Sequence, residues 1–220
     1  MRNRPHWMLC GGLILLTATA CTDAESGKET TLPASQVCDD TLTPPSAKAL
    51  ERLASTERFT ELTGTNQQGE ANEFSLELAA KRLYGGVKER NICMVYKADD
   101  DSGIPLLKIE FEPTENHPVP EEEARNADGG DRLVFPLGSY AEINGDSGAN
   151  LYFACSTKGP EGTSPYVRAR MYSSGGQLAP GSGPEDRMTV LNDVARGLAE
   201  ELGCADEAAL PDRVPEPANG

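Results

Sequence analysis

The sequence predicts an α+β domain in which an antiparallel sheet of about five or six strands carries helices on one face, arranged as two loosely similar halves. Three observations lead there. Leu107, Ile109 and Phe111 alternate with Lys108, Glu110 and Glu112, and Val167, Ala169 and Met171 alternate with Arg168, Arg170 and Tyr172. Period-two alternation marks a strand with one wet face. Near the C-terminus, Met188, Leu191, Val194, Ala195, Leu198 and Leu202 form one apolar helical stripe, which must cover something, and the dry face of the strands is what the chain supplies.

In chain order, Arg2 and Arg4 precede the apolar run Trp7–Leu16 and the small residues Thr17–Ala20, the layout of an export signal over residues 1–20. The run is well short of the roughly 20 residues that span a bilayer, and no later segment approaches that length. Ala18-Thr19-Ala20 fits ordinary A-x-A cleavage. Followed by Cys21, the same residues resemble the lipobox of bacterial lipoproteins, in which the cysteine takes a diacylglyceryl group and becomes the new N-terminus. Ala18 departs from the leucine usual three residues before that cysteine.

Cysteine arithmetic favours the second reading. Of Cys10, Cys21, Cys38, Cys93, Cys155 and Cys204, Cys10 leaves with the signal. Lipid on Cys21 leaves four that pair completely, whereas a free Cys21 leaves an odd thiol in an oxidising compartment. Two acyl chains hold durably where one is marginal.

Residues 21–36 are polar and aperiodic and read as a flexible tether of roughly 20 Å. A single domain over 37–211 follows. Thr43-Pro44-Pro45 opens a helix running to about Ser55, with Leu50, Leu53 and Ala54 inward. Residues 63–71 form a loop, and Asn72 caps a second helix carrying Phe74, Leu78, Ala79 and Leu83, closed by Gly85-Gly86. Asn91–Tyr96, the turn Asp99–Gly103 and Leu107–Phe111 make one hairpin; Asn150–Cys155, Lys158–Gly162 and Val167–Met171 make another. Between them lies the acidic loop 114–130, and Leu133–Phe135 with Tyr140–Ile143 adds one or two strands. Gly183-Pro184, followed by Glu185 and Asp186, opens the last helix, and Gly203 closes it. Residues 212–220 read as a disordered tail.

Four cysteines allow three pairings. Cys93 stands third in its stretch and Cys155 sixth in its own, so they face opposite sides of equivalent strands and do not bond to each other. Cys38 with Cys93 and Cys155 with Cys204 is the favoured connectivity, each clamping a helical segment to a strand.

The net charge of −15 moves to −17 once residues 1–20, with two arginines and no acid, are removed, so nucleic acid is not an expected partner. No Cys-x-x-Cys motif is present, and after removal of the signal His117 is the sole histidine. Asn144–Gly148 echoes a serine-nucleophile turn without a positioned base, and Asp99–Gly103 has calcium-loop composition without the closing glutamate. No catalytic residue, metal or cofactor is therefore assigned. Arg168 and Arg170 are the remaining functional candidates: either they pair with Glu110 and Glu112 across the sheet, or they contact a small anion or acidic partner.

Val190–Cys204 followed by Leu210-Pro211, with the Cys38 segment leading into a proline-opened helix, resembles small secreted actinobacterial lipoproteins of unassigned function. The resemblance implies a disulfide-bonded domain anchored by lipid at the extracytoplasmic face of the cell membrane, where an envelope protein is the expected partner. A binding or interaction module is the first expectation, an envelope hydrolase the alternative. Mass spectrometry of the mature chain tests the anchor: the N-terminal peptide begins at Cys21 and carries diacylglyceryl mass, and an unmodified Cys21 amine overturns it.

Overall fold

The computed structural model of the chain describes residues 31–66, 69, 71–119, 132–145, 148–160 and 162–218. The signal, Cys21 and Glu121-Glu122-Glu123 lie outside these residues. Eight strands form one antiparallel sheet: β1 (Leu32–Pro33), β2 (Arg58–Glu61), β3 (Cys93–Lys97), β4 (Leu107–Thr114), β5 (Arg132–Phe135), β6 (Tyr140–Asn144), β7 (Gly148–Gly159) and β8 (Gly162–Ser173). Their order is β1-β2-β3-β4-β8-β7-β6-β5. Each half is thus a four-strand meander, and the two meet where β4 pairs with β8. The class is the expected α+β. The strands beyond the expected five or six are β1 and β2, too short for sequence alternation to reveal.

Besides a 3-10 turn at Ala34–Gln36 and a short segment at Val37–Asp40 that is left-handed at Cys38 and Asp39, the helices are α1 (Pro44–Ala54), α2 (Leu76–Lys81), α3 (Pro184–Glu201) and α4 (Ala205–Ala208). Helix α3 ends as its sequence demands. Gly203 takes φ +74°, Gly203 N–H donates to Glu200 O at 3.0 Å, and Cys204 N–H donates to Ala199 O at 2.9 Å. These two bonds form a Schellman cap, which needs a residue at positive φ. Met188, Leu191, Val194, Ala195 and Leu198 are buried against the sheet face carrying Ile109, Phe111, Leu151, Phe153, Val167 and Met171.

Helix α1 runs antiparallel along α3. The hydroxyl of Thr43, its N-cap residue, does not cap the helix; instead the buried carboxylate of Asp193 in α3 accepts from Thr43 N–H at 2.9 Å and from Thr43 Oγ at 2.6 Å. Ser46 Oγ donates to Thr189 O at 3.3 Å. One helix therefore takes the N-cap N–H of the other, whose next two residues are prolines with no N–H to satisfy. In α2 the cap is Ser75, whose Oγ accepts from Leu78 N–H at 3.2 Å, and not the expected Asn72. Asn72 instead closes the preceding loop, its N–H donating to Gly64 O and its Nδ2 to Thr63 O.

The disulfides are Cys38–Cys93 and Cys155–Cys204, the favoured connectivity. The reason differs from the expected one. Through the register Cys93↔Ile109↔Met171↔Ala149, Cys93 and Cys155 lie on the same face of the sheet. They are kept apart by three strand spacings, about 14 Å across the sheet, and by the six residues from Ala149 to Cys155, about 20 Å along β7. Cys155 sits at a bulge, where the ladder shifts between Ala154 and Thr157 opposite Pro165. Proline has no N–H for the ladder. Glu207 of α4 accepts from the displaced Ser156 N–H and hydroxyl, both at 3.1 Å, so disulfide and carboxylate dock α4 on the bulge together.

Two boundaries differ from expectation. Within the segment read as tether, Leu32 pairs with Phe59, and Ala34 is buried. At the other end, Val214 packs on the core, Arg196 pairs with Asp212, and Ala218 N–H donates to Val134 O on edge strand β5 at 2.7 Å. The described part of the tail, through residue 218, is therefore part of the fold: an edge carbonyl takes its donor from it. Replacing Asp193 with Ala leaves the α1 N-terminus without its acceptor and lowers unfolding free energy by about 1–3 kcal/mol in urea denaturation, with unchanged far-ultraviolet circular dichroism.

Candidate functional site

The face of the sheet turned away from the helices carries a lattice fixed by register. Three rows cross β4, β8, β7 and β6: Lys108–Tyr172–Gly148–Asn144, Glu110–Arg170–Asn150–Glu142, and Glu112–Arg168–Tyr152–Tyr140. Arg168 and Arg170 thus stand opposite the acids the alternation assigns to them. Arg168 Nη2 lies 2.6 Å from Glu112 Oε1, and Arg170 is ion-paired with Glu110. Glu112 also accepts from Arg90 Nη1 at 2.8 Å, so one carboxylate holds two guanidiniums. Arg168 further donates to Tyr152 OH at 3.3 Å and stacks 5.8 Å from that ring, itself edge-on to Tyr140.

Expected as a wet face, this surface is partly dry: Glu110, Tyr140, Glu142 and Tyr152 are all buried. Glu142 survives there because it is saturated, accepting from Tyr140 OH at 2.8 Å, Asn144 Nδ2 at 3.0 Å and Asn150 Nδ2 at 3.2 Å. Burial works against the charge on Glu110. The Arg170 hydrogen bond and the nearby Lys108 and Arg170 charges outweigh it, holding the Glu110 carboxyl below its ordinary range. At the end of the lattice a hollow of about 560 Å³ is lined by Pro105, Lys108, Glu110, Asn150, Arg170 and Tyr172. Of the buried acceptors on its lining residues, Asn150 Oδ1 has no hydrogen-bond partner, and Glu110 Oε2 has only Lys108. Lys108 Nζ stands 3.5 Å from Glu110 Oε2, an ion-pair distance.

A second feature escaped the sequence reading. Cys38, Asp39 and Asp40 all have positive φ, at 52°, 64° and 55°. A left-handed turn of non-glycine residues costs roughly 1–2 kcal/mol per residue, and several contacts hold it. Cys38 is buried and disulfide-bonded, its N–H donates to Glu61 Oε1 at 2.6 Å, and Asp39 Oδ2 accepts from Leu76 N–H at 2.9 Å. Glu61 lies on the helix face of the sheet, half-buried, in a hollow of about 230 Å³ shared with Asp39, Asp40 and Glu73. Burial pushes its carboxyl up to about 7, opposed by the Cys38 hydrogen bond and reinforced by Glu73, Asp39 and Asp40. Glu61 Oε1 is also 3.3 Å from Cys93 Sγ, but both sulfurs are committed to the disulfide and offer no thiolate to a metal.

The remaining candidates are structural. Asp100 accepts from Ser102 N–H at 3.1 Å and Ser102 Oγ at 2.6 Å, a local turn joining β3 to β4. His117 is half-buried, edge-on to Tyr166 at 4.7 Å, with Nδ1 against Pro118 O. Asp146 and Ser147 lie outside the described residues. No family model, curated protein or solved structure matches the chain.

Because Glu61 binds its proton more tightly folded than unfolded, its contribution to stability is complete below about pH 4.5 and is lost as pH rises through about 7. The melting temperature of the wild type therefore falls more across this window than that of Glu61→Gln; parallel profiles would show that Glu61 does not titrate there.

Proposed function

We propose that the chain is an extracytoplasmic lipoprotein, held by lipid on Cys21 at the outer side of the cell membrane, whose domain is a non-catalytic binding or interaction module for an envelope partner. The observation that carries the binding reading is the lattice on the sheet face turned away from the helices. Eight antiparallel strands fix its rows, and ion pairs fix the arginine rotamers, so recognition there requires little further ordering of side chains. Tyrosine and arginine, the residue types enriched where partners dock, recur across it.

Pairing of all four cysteines supports placement outside the cytoplasm, since disulfides persist in oxidising compartments. Leu32, the first paired residue, stands eleven positions after Cys21. A spacer of that length averages roughly 17–20 Å end to end, enough to hold a domain off the membrane surface.

One observation favours an envelope hydrolase as a second reading: the Glu61 carboxyl, raised to about 7 among three other carboxylates, has the proton affinity a general acid requires near neutral pH. Cross-linking of intact membranes separates the two. The module captures a stoichiometric envelope partner, and reversing charge at Arg168 and Arg170 together abolishes capture and lowers the melting temperature. Unchanged capture and an unchanged melting temperature in that variant would remove the lattice from the proposal, whereas hydrolysis lost in Glu61→Gln would favour the second reading.

A further inference from the structure

We infer that Asn144-Gly145, where β6 turns toward β7, is a site of spontaneous deamidation whose product loosens the lattice, whether or not the lattice binds a partner. Asparagine is thermolabile because the next backbone nitrogen can attack its side-chain amide. Ring closure is intramolecular, so its rate follows how freely the two groups meet. Two asparagines precede a glycine, Asn144 and Asn219, and Asn144 is the one within the described residues. The other asparagines there are followed by Gln67, Glu73, Ile92, His117, Leu151 and Asp193, whose β-carbons crowd the same approach. Asn144 is exposed, and the space beside Gly145 is open: a Cβ built on it meets nothing within 4 Å.

Two separate demands of the fold keep this fragile pair together. Gly145 has φ +52°, where a side chain is strained, so the turn calls for glycine. Asn144 Nδ2 donates to Glu142 Oε1 at 3.0 Å, so the buried Glu142 carboxylate calls for a donor at position 144. Each residue answers its own constraint, and their adjacency makes the labile bond.

In the reaction Gly145 N bonds to Asn144 Cγ and the Cγ–Nδ2 bond breaks. The amide nitrogen leaves as ammonia, taking the proton given up by Gly145 N–H. Water then opens the cyclic imide at either carbonyl, giving aspartate or isoaspartate; it is the sole co-reactant. Either product replaces a donor to Glu142 with a carboxylate, so two like charges come together, one of them buried. Glu142 retains Tyr140 OH, Asn150 Nδ2 and Arg132 at 3.6 Å, so the lattice is weakened and not abolished. Isoaspartate also lengthens the backbone at a residue paired on both sides, with Arg132 on β5 and Gly148 on β7.

The test holds the folded full chain in mildly alkaline buffer, maps its peptides by mass spectrometry and labels isoaspartate enzymatically with a methyl group. Asn144 converts before every other described asparagine. The converted protein melts roughly 2–4 °C lower, and Asn144→Asp shifts the melting temperature in the same direction. Asn144→Gln, whose amide sits one methylene farther out, does not convert. An Asn144 still intact when other described asparagines have converted, or conversion confined to the urea-unfolded chain, overturns the site. Converted protein and Asn144→Asp that both melt like the wild type overturn its effect on the lattice.

Discussion

The pairing of β4 with β8 is the constraint on which the rest of the structure depends. These are the last strands of two separate meanders, and their eight-residue antiparallel register, Leu107↔Ser173 through Thr114↔Tyr166, fuses them into one sheet. The side-chain period of a strand is two, so this register settles both faces at once. Ile109, Phe111, Ala169 and Met171 turn inward beneath α3, and Glu110, Glu112, Arg168 and Arg170 are matched acid to base on the other side. A slip of one residue by either strand would turn that strand's two named charges under the helix and its apolar residues outward. Core and lattice are therefore two consequences of one alignment.

Around that seam each half is fastened in its own way. The third strand of each meander carries a cysteine, and each disulfide binds a non-sheet segment to it: the left-handed Cys38 turn on β3, the α3–α4 junction on β7. In both places a glutamate completes the fastening by accepting a backbone N–H that no strand partner takes, Glu61 from Cys38 and Glu207 from Ser156. The environments of the two acids differ. Glu61 is enclosed with three other carboxylates and has its proton affinity raised; Glu207 projects from an exposed helix. The same device is thus built on an exposed acid at one end and an enclosed one at the other.

The lattice is organised by how completely each polar group is satisfied. Glu142 and Glu112 each hold several donors, Glu110 is paired with Arg170 and Lys108, and Asn150 Oδ1 alone in this row has no hydrogen-bond partner. Saturated groups of this kind rigidify a surface, so the lattice largely holds itself in place.

Local pattern sufficed where the determinants are neighbours in sequence. Gly183-Pro184 and Gly203 bracket α3, Pro44-Pro45 opens α1, and alternation on β4 and β8 places Arg168 and Arg170 on the acidic side of the sheet, because capping and pleat periodicity act within a few residues. Tertiary structure decided everything whose partner is remote. Two-residue β1 and four-residue β2 exist through pairing with distant strands; Asn72 yields its cap to Ser75; Asp193 caps α1 from 150 residues away; the last residues before Ala218 are ordered by Val134. The cysteine pairing was legible, but its cause was not, since Cys93 and Cys155 share a face and are separated by strand order and by their positions along the strands. Glu61, Asn150 and Tyr152 were invisible as site residues for the same reason: a carboxylate, an amide and a phenol acquire a role only when the fold chooses what stands beside them, and that choice is made by contacts tens of residues apart.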